Sequence, residues 1–261
     1  MVKRLADGAG WVTSDNEDHE HTDSRTLGRL ELDSLLPVIE RLDEETFVLG
    51  ATMLAEEDEH LGRLVDRWGL PEFWHREPGF RTLVLLILEQ QVSLESGAAM
   101  YRRLAGLIGQ VDASTVLSAG EEALRSIGIT RQKSGYLLGL ASQVVEGVID
   151  LEAMESERVD VARATLVGIK GIGPWTADAY LLSASRRPDM WPVGDRALQV
   201  GTGDALGLRS VPDEGQLEII AEPWRPVRAI AARLIWHAYL SERGRVEPPN
   251  PTLVHGLGPE A

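Results

Sequence analysis

The 261-residue sequence contains no cysteine. That absence excludes a disulfide, a thiolate-held iron–sulfur cluster and a Cys-type structural zinc site, so the fold must stand on packing. It fits a reducing compartment, and a cytoplasmic protein is expected. Basic charge is also scarce: 26 Lys/Arg against 41 Asp/Glu leave a formal net charge of −15. Such a balance speaks at first against a phosphate-rich partner, which favours a basic face. There is no long apolar run. The longest strongly apolar stretch, Leu83 to Leu88, is far too short to cross a bilayer. The N-terminus has no basic flank followed by an apolar segment, so neither a membrane span nor a leader is expected. Strand-type alternation bounded by hairpin turns is missing throughout.

What is present is 43% apolar residues over a length that suits one large or two small domains with a real core. The acidity is concentrated at one end. Residues 1–60 hold five of the basic and 16 of the acidic residues, leaving 21 and 25 for the remainder. The body is therefore close to neutral and free to carry one basic patch. Residues 1–29 include the polar run TSDNEDHEHTDSRT, whose few apolar groups cannot offset the entropy of ordering it. A disordered acidic tail is expected there. His19 and His21 beside Asp15, Glu17 and Asp18 offer a weak metal-binding alternative to a merely solvated tail.

From Leu30 onward apolar residues recur at helical spacing, as in Leu35, Leu36, Ile39 and Leu42 and again in Leu61, Leu64, Val65 and Trp68. Beyond a Gly/Pro loop, Phe80 to Leu107 predicts two helices meeting near the polar QQVS stretch. Further helices are predicted over Ala113–Ser118, Glu121–Ser126, Arg131–Ile149, Val159–Val167, Pro174–Arg186, Arg196–Leu206, Asp213–Ala221 and Pro226–Glu242. Asp213 followed by Gln216 has the capping-box spacing, and Pro174 and Pro226 stand where a first helical turn tolerates proline. The expected fold is all-α, with a helical domain over residues 30–244 and an irregular tail over 245–261.

The most informative segment is LVGIKGIGPWTADAYLL, Leu166 to Leu182: a helix end, a G-x-G turn and a new helix opening at Pro174. Gly171 and Gly173 permit backbone conformations that side chains block, so amides near the second helix's start can point at one phosphate. Such a clamp draws its attraction from backbone dipoles and needs no positive side chain, which answers the objection from net charge.

Four blocks in order, ILEQQVS (Ile87–Ser93), the hairpin, WPVGDRAL (Trp191–Leu198) and AEPWRPVRAIAARLIW (Ala221–Trp236), make Glu57 to Glu242 similar to the 3-methyladenine DNA glycosylase II family of the helix-hairpin-helix glycosylase superfamily. The resemblance implies two helical subdomains with an active-site cleft between them, acting as a monomer on double-stranded DNA that contains damaged bases. It implies Asp195 as the essential carboxylate, twenty residues beyond Trp175. A helix N-cap is the alternative role for that residue. The superfamily's lyases carry a nucleophilic lysine where this chain has Trp175, so an enzyme that releases the base and leaves the abasic site uncut is implied. Trp175 and Trp236 match the base pocket, with Tyr180, Trp74 and Trp191 as weaker candidates and Trp224 as core. DNA contacts are implied for Gln90, Gln91, Lys170, Gly171, Gly173 and Thr176, with Gln91 as the wedge that fills the gap left by the flipped nucleotide. No cofactor is implied beyond a monovalent cation on the backbone carbonyls of Val167, Ile169 and Ile172. A non-catalytic DNA-binding protein of the same hairpin type, or a glycosylase for another lesion, is the alternative.

Overall fold

The computed structural model describes residues 39–253 apart from position 75. The acidic tail and its histidine cluster lie outside the described residues. Twelve α-helices follow one another with no strand among the described residues. They are α1 (Glu44–Glu57), α2 (Glu59–Trp68), α3 (Phe80–Glu89), α4 (Leu94–Ile108), α5 (Ala113–Ser126), α6 (Arg131–Val145), α7 (Leu151–Glu155), α8 (Val159–Gly168), α9 (Pro174–Ser183), α10 (Arg196–Leu206), α11 (Glu214–Ala221) and α12 (Arg228–Glu242).

Helix starts are written in short polar side chains. Asp43, Asp58, Ser93, Asp112, Thr130, Asp150, Asp195 and Asp213 each accept a hydrogen bond from an amide of the first turn. Each such cap satisfies donors that a helix end leaves bare. The capping box at Asp213 and Gln216 forms as the spacing predicts. Gly120, at φ 73°, breaks α5 into the two segments that the apolar pattern anticipates. One expectation changes. Pro226 is not in a first helical turn: it follows a cis peptide bond after Arg225, and α12 begins at Arg228.

The helices fall into two groups. α1, α2, α10, α11 and α12 pack together, and α3 to α6 with α8 and α9 form the second group. The chain therefore starts in the first group, builds the second, and returns through residues 184–195. Two close approaches lock the first group. A Cβ on Gly50 of α1 would meet Ile230 of α12 at 2.5 Å, and one on Gly201 of α10 would meet Ile235 of α12 at 2.8 Å. The described part of the tail after α12, residues 245–253, has no α-helix and lies on the body; residues 254–261 lie outside the described residues. Glu247 pairs with Arg233, and Pro251 and Thr252 are buried in a 3₁₀ turn.

Tyr180 belongs to this core and not to a base pocket. It is fully buried on α9, its hydroxyl accepts from the Gly79 amide at 2.7 Å and donates to Glu155 Oε1 at 3.1 Å. Burial pushes its phenol pKa far above the ordinary tyrosine value. Glu155 also accepts from Ser185 Oγ and pairs with Arg41, so one hydroxyl ties the loop before α3 to the end of α7. Tyr180→Phe is expected to lower unfolding free energy by about 1–3 kcal/mol, because the Gly79 amide loses its partner. Urea melts measure that loss, and function at temperatures where the variant stays folded is expected to be unchanged.

Candidate active site

Asp195 sits at the N-cap of α10, where the returning chain re-enters the first group. Its carboxylate accepts three hydrogen bonds. Oδ1 takes the Leu198 amide at 2.7 Å and the Trp236 indole Nε1 at 3.0 Å, and Oδ2 takes the Trp175 indole Nε1 at 2.7 Å. The helix cap expected from the sequence is present, and the same carboxylate also holds the two indoles. The three donors come from three helices: α10 itself, α12, and α9 of the other group. A carboxylate offers about four acceptor positions, so one remains, on Oδ2. Both indoles are half-buried, and Trp175 stands outside the apolar core. Neither ring stacks on another aromatic among the described residues, so their faces are not claimed by one. Gly201 was missed in the sequence. Its lack of a side chain lets α12 approach α10 and carries Trp236 to Asp195.

Trp74, Trp191 and Trp224 do not join them. Trp74 is buried among Phe47 and Phe73, Trp191 packs edge-on against Trp224 and donates to the Leu217 carbonyl, and Trp224 donates to Asp58. Trp74 and Trp191 are therefore core, as Trp224 was expected to be.

The hairpin lies immediately before Trp175. Gly171 adopts φ 97°, and a Cβ there would fall 2.2 Å from the Tyr136 ring of α6. Only glycine satisfies both conditions. Gly173 differs from expectation: at φ −86° and ψ 176° its backbone suits any residue, and a Cβ would meet nothing within 4 Å. Its value is open space in front of α9, whose first turn has Pro174 and no side-chain cap. The first-turn amides of such a helix, including that of Thr176, have no acceptor within the helix itself. The Thr176 side chain is buried and its hydroxyl accepts from Gln90 Nε2 at 3.0 Å. Gln90 Nε2 also donates to the Gly171 carbonyl at 2.8 Å, so this glutamine braces the hairpin from within. Lys170 is exposed, and so is Gln91, which takes the left-handed φ of 58°. Ile169 and Ile172 bury their side chains, and the Ile172 amide donates to the Ile169 carbonyl at 3.0 Å to close the turn. Lys133 was also missed. Its ammonium reaches from α6 to the carbonyls of Leu88 and Gln90, and burial pushes its pKa down.

A family model described as HhH-GPD superfamily base excision DNA repair protein matches residues 84–226, more than half of the chain. The chain belongs to that superfamily. Its matched segment runs from α3 through the hairpin and Asp195 to the cis proline. Among curated superfamily relatives, the Putative DNA-3-methyladenine glycosylase YfjP of Bacillus subtilis (strain 168) is 22% identical over 61% of this chain and 58% of its own length. DNA-3-methyladenine glycosylase 1 of Schizosaccharomyces pombe is 23% identical over 70% of this chain and 82% of its own. This chain thus spans less than two thirds of the first of these. The solved DNA-3-methyladenine glycosidase of Bacillus halodurans superposes with TM-score 0.63 at 27% identity, covering 75% of this chain and 91% of that one. The S. pombe 3-methyladenine DNA glycosylase (Mag1), solved in complex with abasic DNA, shares the fold with TM-score 0.67 at 24% identity, over 72% and 94% of the two chains. The family and the two-part helical fold read from the sequence both stand.

The two hairpin glycines are expected to respond differently to alanine. Gly171→Ala meets the Tyr136 ring and a strained φ, so melting temperature and DNA affinity fall together, by about 1–3 kcal/mol in stability. Gly173→Ala leaves the melting temperature almost unchanged and weakens DNA binding only, by filling the space before the α9 amides. Calorimetry and a fluorescence-anisotropy titration with duplex DNA separate the two.

Proposed function

We propose that this protein is a monofunctional DNA glycosylase that hydrolyses the N-glycosidic bond of alkylated purines, of the 3-methyladenine type, in base excision repair. The observation that carries the proposal is the Asp195 carboxylate, held by two indole N–H groups and one amide with a single acceptor position left on Oδ2. Departure of the base builds oxocarbenium character on the deoxyribose. A fixed carboxylate stabilises that charge without reorganising, and its spare lone pair orients the attacking water or takes its proton. One carboxylate suffices when the base is already cationic, because the leaving group needs no proton. The half-buried indoles favour the same substrates, since their electron-rich faces attract an electron-poor methylated purine by stacking and cation–π terms.

Lysine usage supports the absence of strand cleavage. The chain has three lysines, Lys3, Lys133 and Lys170. Lys133 is committed to two carbonyls, and Lys170 is exposed in the turn before the hairpin glycines. Trp175 occupies the lyase position with its N–H directed to Asp195, and an indole forms no Schiff base. In this scheme the α9 amides receive a DNA phosphate and Gln91 enters the duplex. The carbonyls of Val167, Ile169 and Ile172 would hold a monovalent cation. Neutral backbone oxygens suit such an ion, and the Ile169 carbonyl retains a second lone pair beyond the one taken by Ile172. The ion would supply positive charge beside the phosphate. The working unit is a single copy of the chain.

The test is incubation with methylated duplex DNA, scoring free bases by chromatography and strand breaks with and without alkali. Release of methylpurines with breaks only after alkali is expected. Binding without release would assign a non-catalytic role, and breaks without alkali would overturn the monofunctional reading. Asp195→Asn is expected to keep the fold, because asparagine caps a helix as well, while turnover falls by about 10²-fold or more. Wild-type turnover in that variant would remove Asp195 from the mechanism.

A further inference from the structure

The turn between α3 and α4 is exposed at its tip and braced from two sides. α3 ends at Glu89, Gln90 leaves the helix with φ −57° and ψ 128°, and Gln91 takes φ 58° with its side chain exposed. A non-glycine residue in that left-handed conformation costs about 1 kcal/mol and persists only where its surroundings impose it. One brace is the Gln90 side chain on the Gly171 carbonyl and the Thr176 hydroxyl. The other is Lys133, whose Nζ donates to the Leu88 carbonyl at 2.7 Å and the Gln90 carbonyl at 2.9 Å.

Lys133 is in the wrong place for its own helix. It lies three residues after the Thr130 cap of α6, which accepts from its amide. A cation in a first turn opposes the helix dipole. Burial adds a desolvation cost, seen in its lowered pKa. Both costs are offset by charge-assisted contacts made to the C-terminal carbonyls of α3, where a cation is favoured.

We propose that Lys133 is a positioning residue for base flipping: together with Gln90 it fixes the Gln90–Gln91 turn to the hairpin, so that Gln91 enters the duplex in register with the phosphate clamp. The proposal rests on the glycosylase reading above. Its consequence is selective. A braced wedge matters when a paired, stacked base must be extruded, and matters little when the base is already unstacked.

The experiment measures single-turnover excision of one alkylated purine from two substrates, a fully paired duplex and a single-nucleotide bulge. Lys133→Met keeps the aliphatic stem and removes the donors. It is expected to slow excision from the paired duplex by about tenfold or more and from the bulge by less than about twofold. Lys133→Arg restores most of the duplex rate. Gln91→Ala, at an exposed tip, is expected to reproduce the duplex-selective loss, and the double variant to be no worse than the slower single one. Equal loss on both substrates, no loss on either, or additive losses in the double variant would each overturn the proposal. A wild-type protein that excises from neither substrate defeats the glycosylase reading itself, and is distinguished by that result alone.

Discussion

The carboxylate of Asp195 collects its donors from both groups of helices, and much else in the molecule is arranged so that they arrive together. The Leu198 amide comes with the helix that Asp195 caps. Trp236 arrives because Gly201 lets α12 lie close to α10, and Trp175 because it is the second residue of α9. Each bond taken alone contributes modestly, about 1 kcal/mol for a neutral pair and somewhat more to a charged acceptor. Their joint value is directional. With three acceptor positions filled from fixed helices, the fourth has no freedom to wander, and the proposed mechanism draws on that rigidity.

The acidity of the chain constrains how such a site can hold phosphate. Many arginines are already spent on the body's own carboxylates: Arg76 on Glu89, Arg163 on Asp178, Arg228 on Asp189 and Glu218, Arg233 on Glu247. Pairs such as Arg76 with Glu89 are buried enough that removing one partner would strand a charge, so these cations are not free to move to a ligand. Backbone amides carry no such obligation. An anion held at the start of α9, as proposed, would use dipoles that the fold supplies in any case, since that helix has an extended Gly173 and no side-chain cap.

Most of the helices, and Asp195 as the N-cap of α10, were legible because they depend on local rules. Apolar spacing, aspartate caps and Gly–Pro punctuation each act within a few residues. The losses follow from contacts that cross the chain. Tyr180 is a pocket candidate in the sequence, but its position on α9 turns it inward to Gly79, 101 residues away. Lys133 gives no local sign of its task, since its acceptors lie 43 and 45 residues earlier in the sequence. Gln90 and Gln91 look alike in sequence, yet Gln90 bonds to the hairpin while Gln91, at a left-handed φ, is exposed.

Asp58 shows why capping geometry alone does not make a site. Like Asp195, it is a helix N-cap that also accepts an indole N–H, here from Trp224. The chemistry of the two carboxylates is nearly the same, and the difference lies in their neighbours. Trp224 is buried edge-on against Trp191, so its ring is consumed by packing. The two indoles at Asp195 are half-buried, have no aromatic partner among the described residues, and come from helices on either side of the junction. What distinguishes Asp195 from Asp58 is therefore the state of the indoles that bind it, half-buried and without an aromatic partner among the described residues at one and packed away at the other.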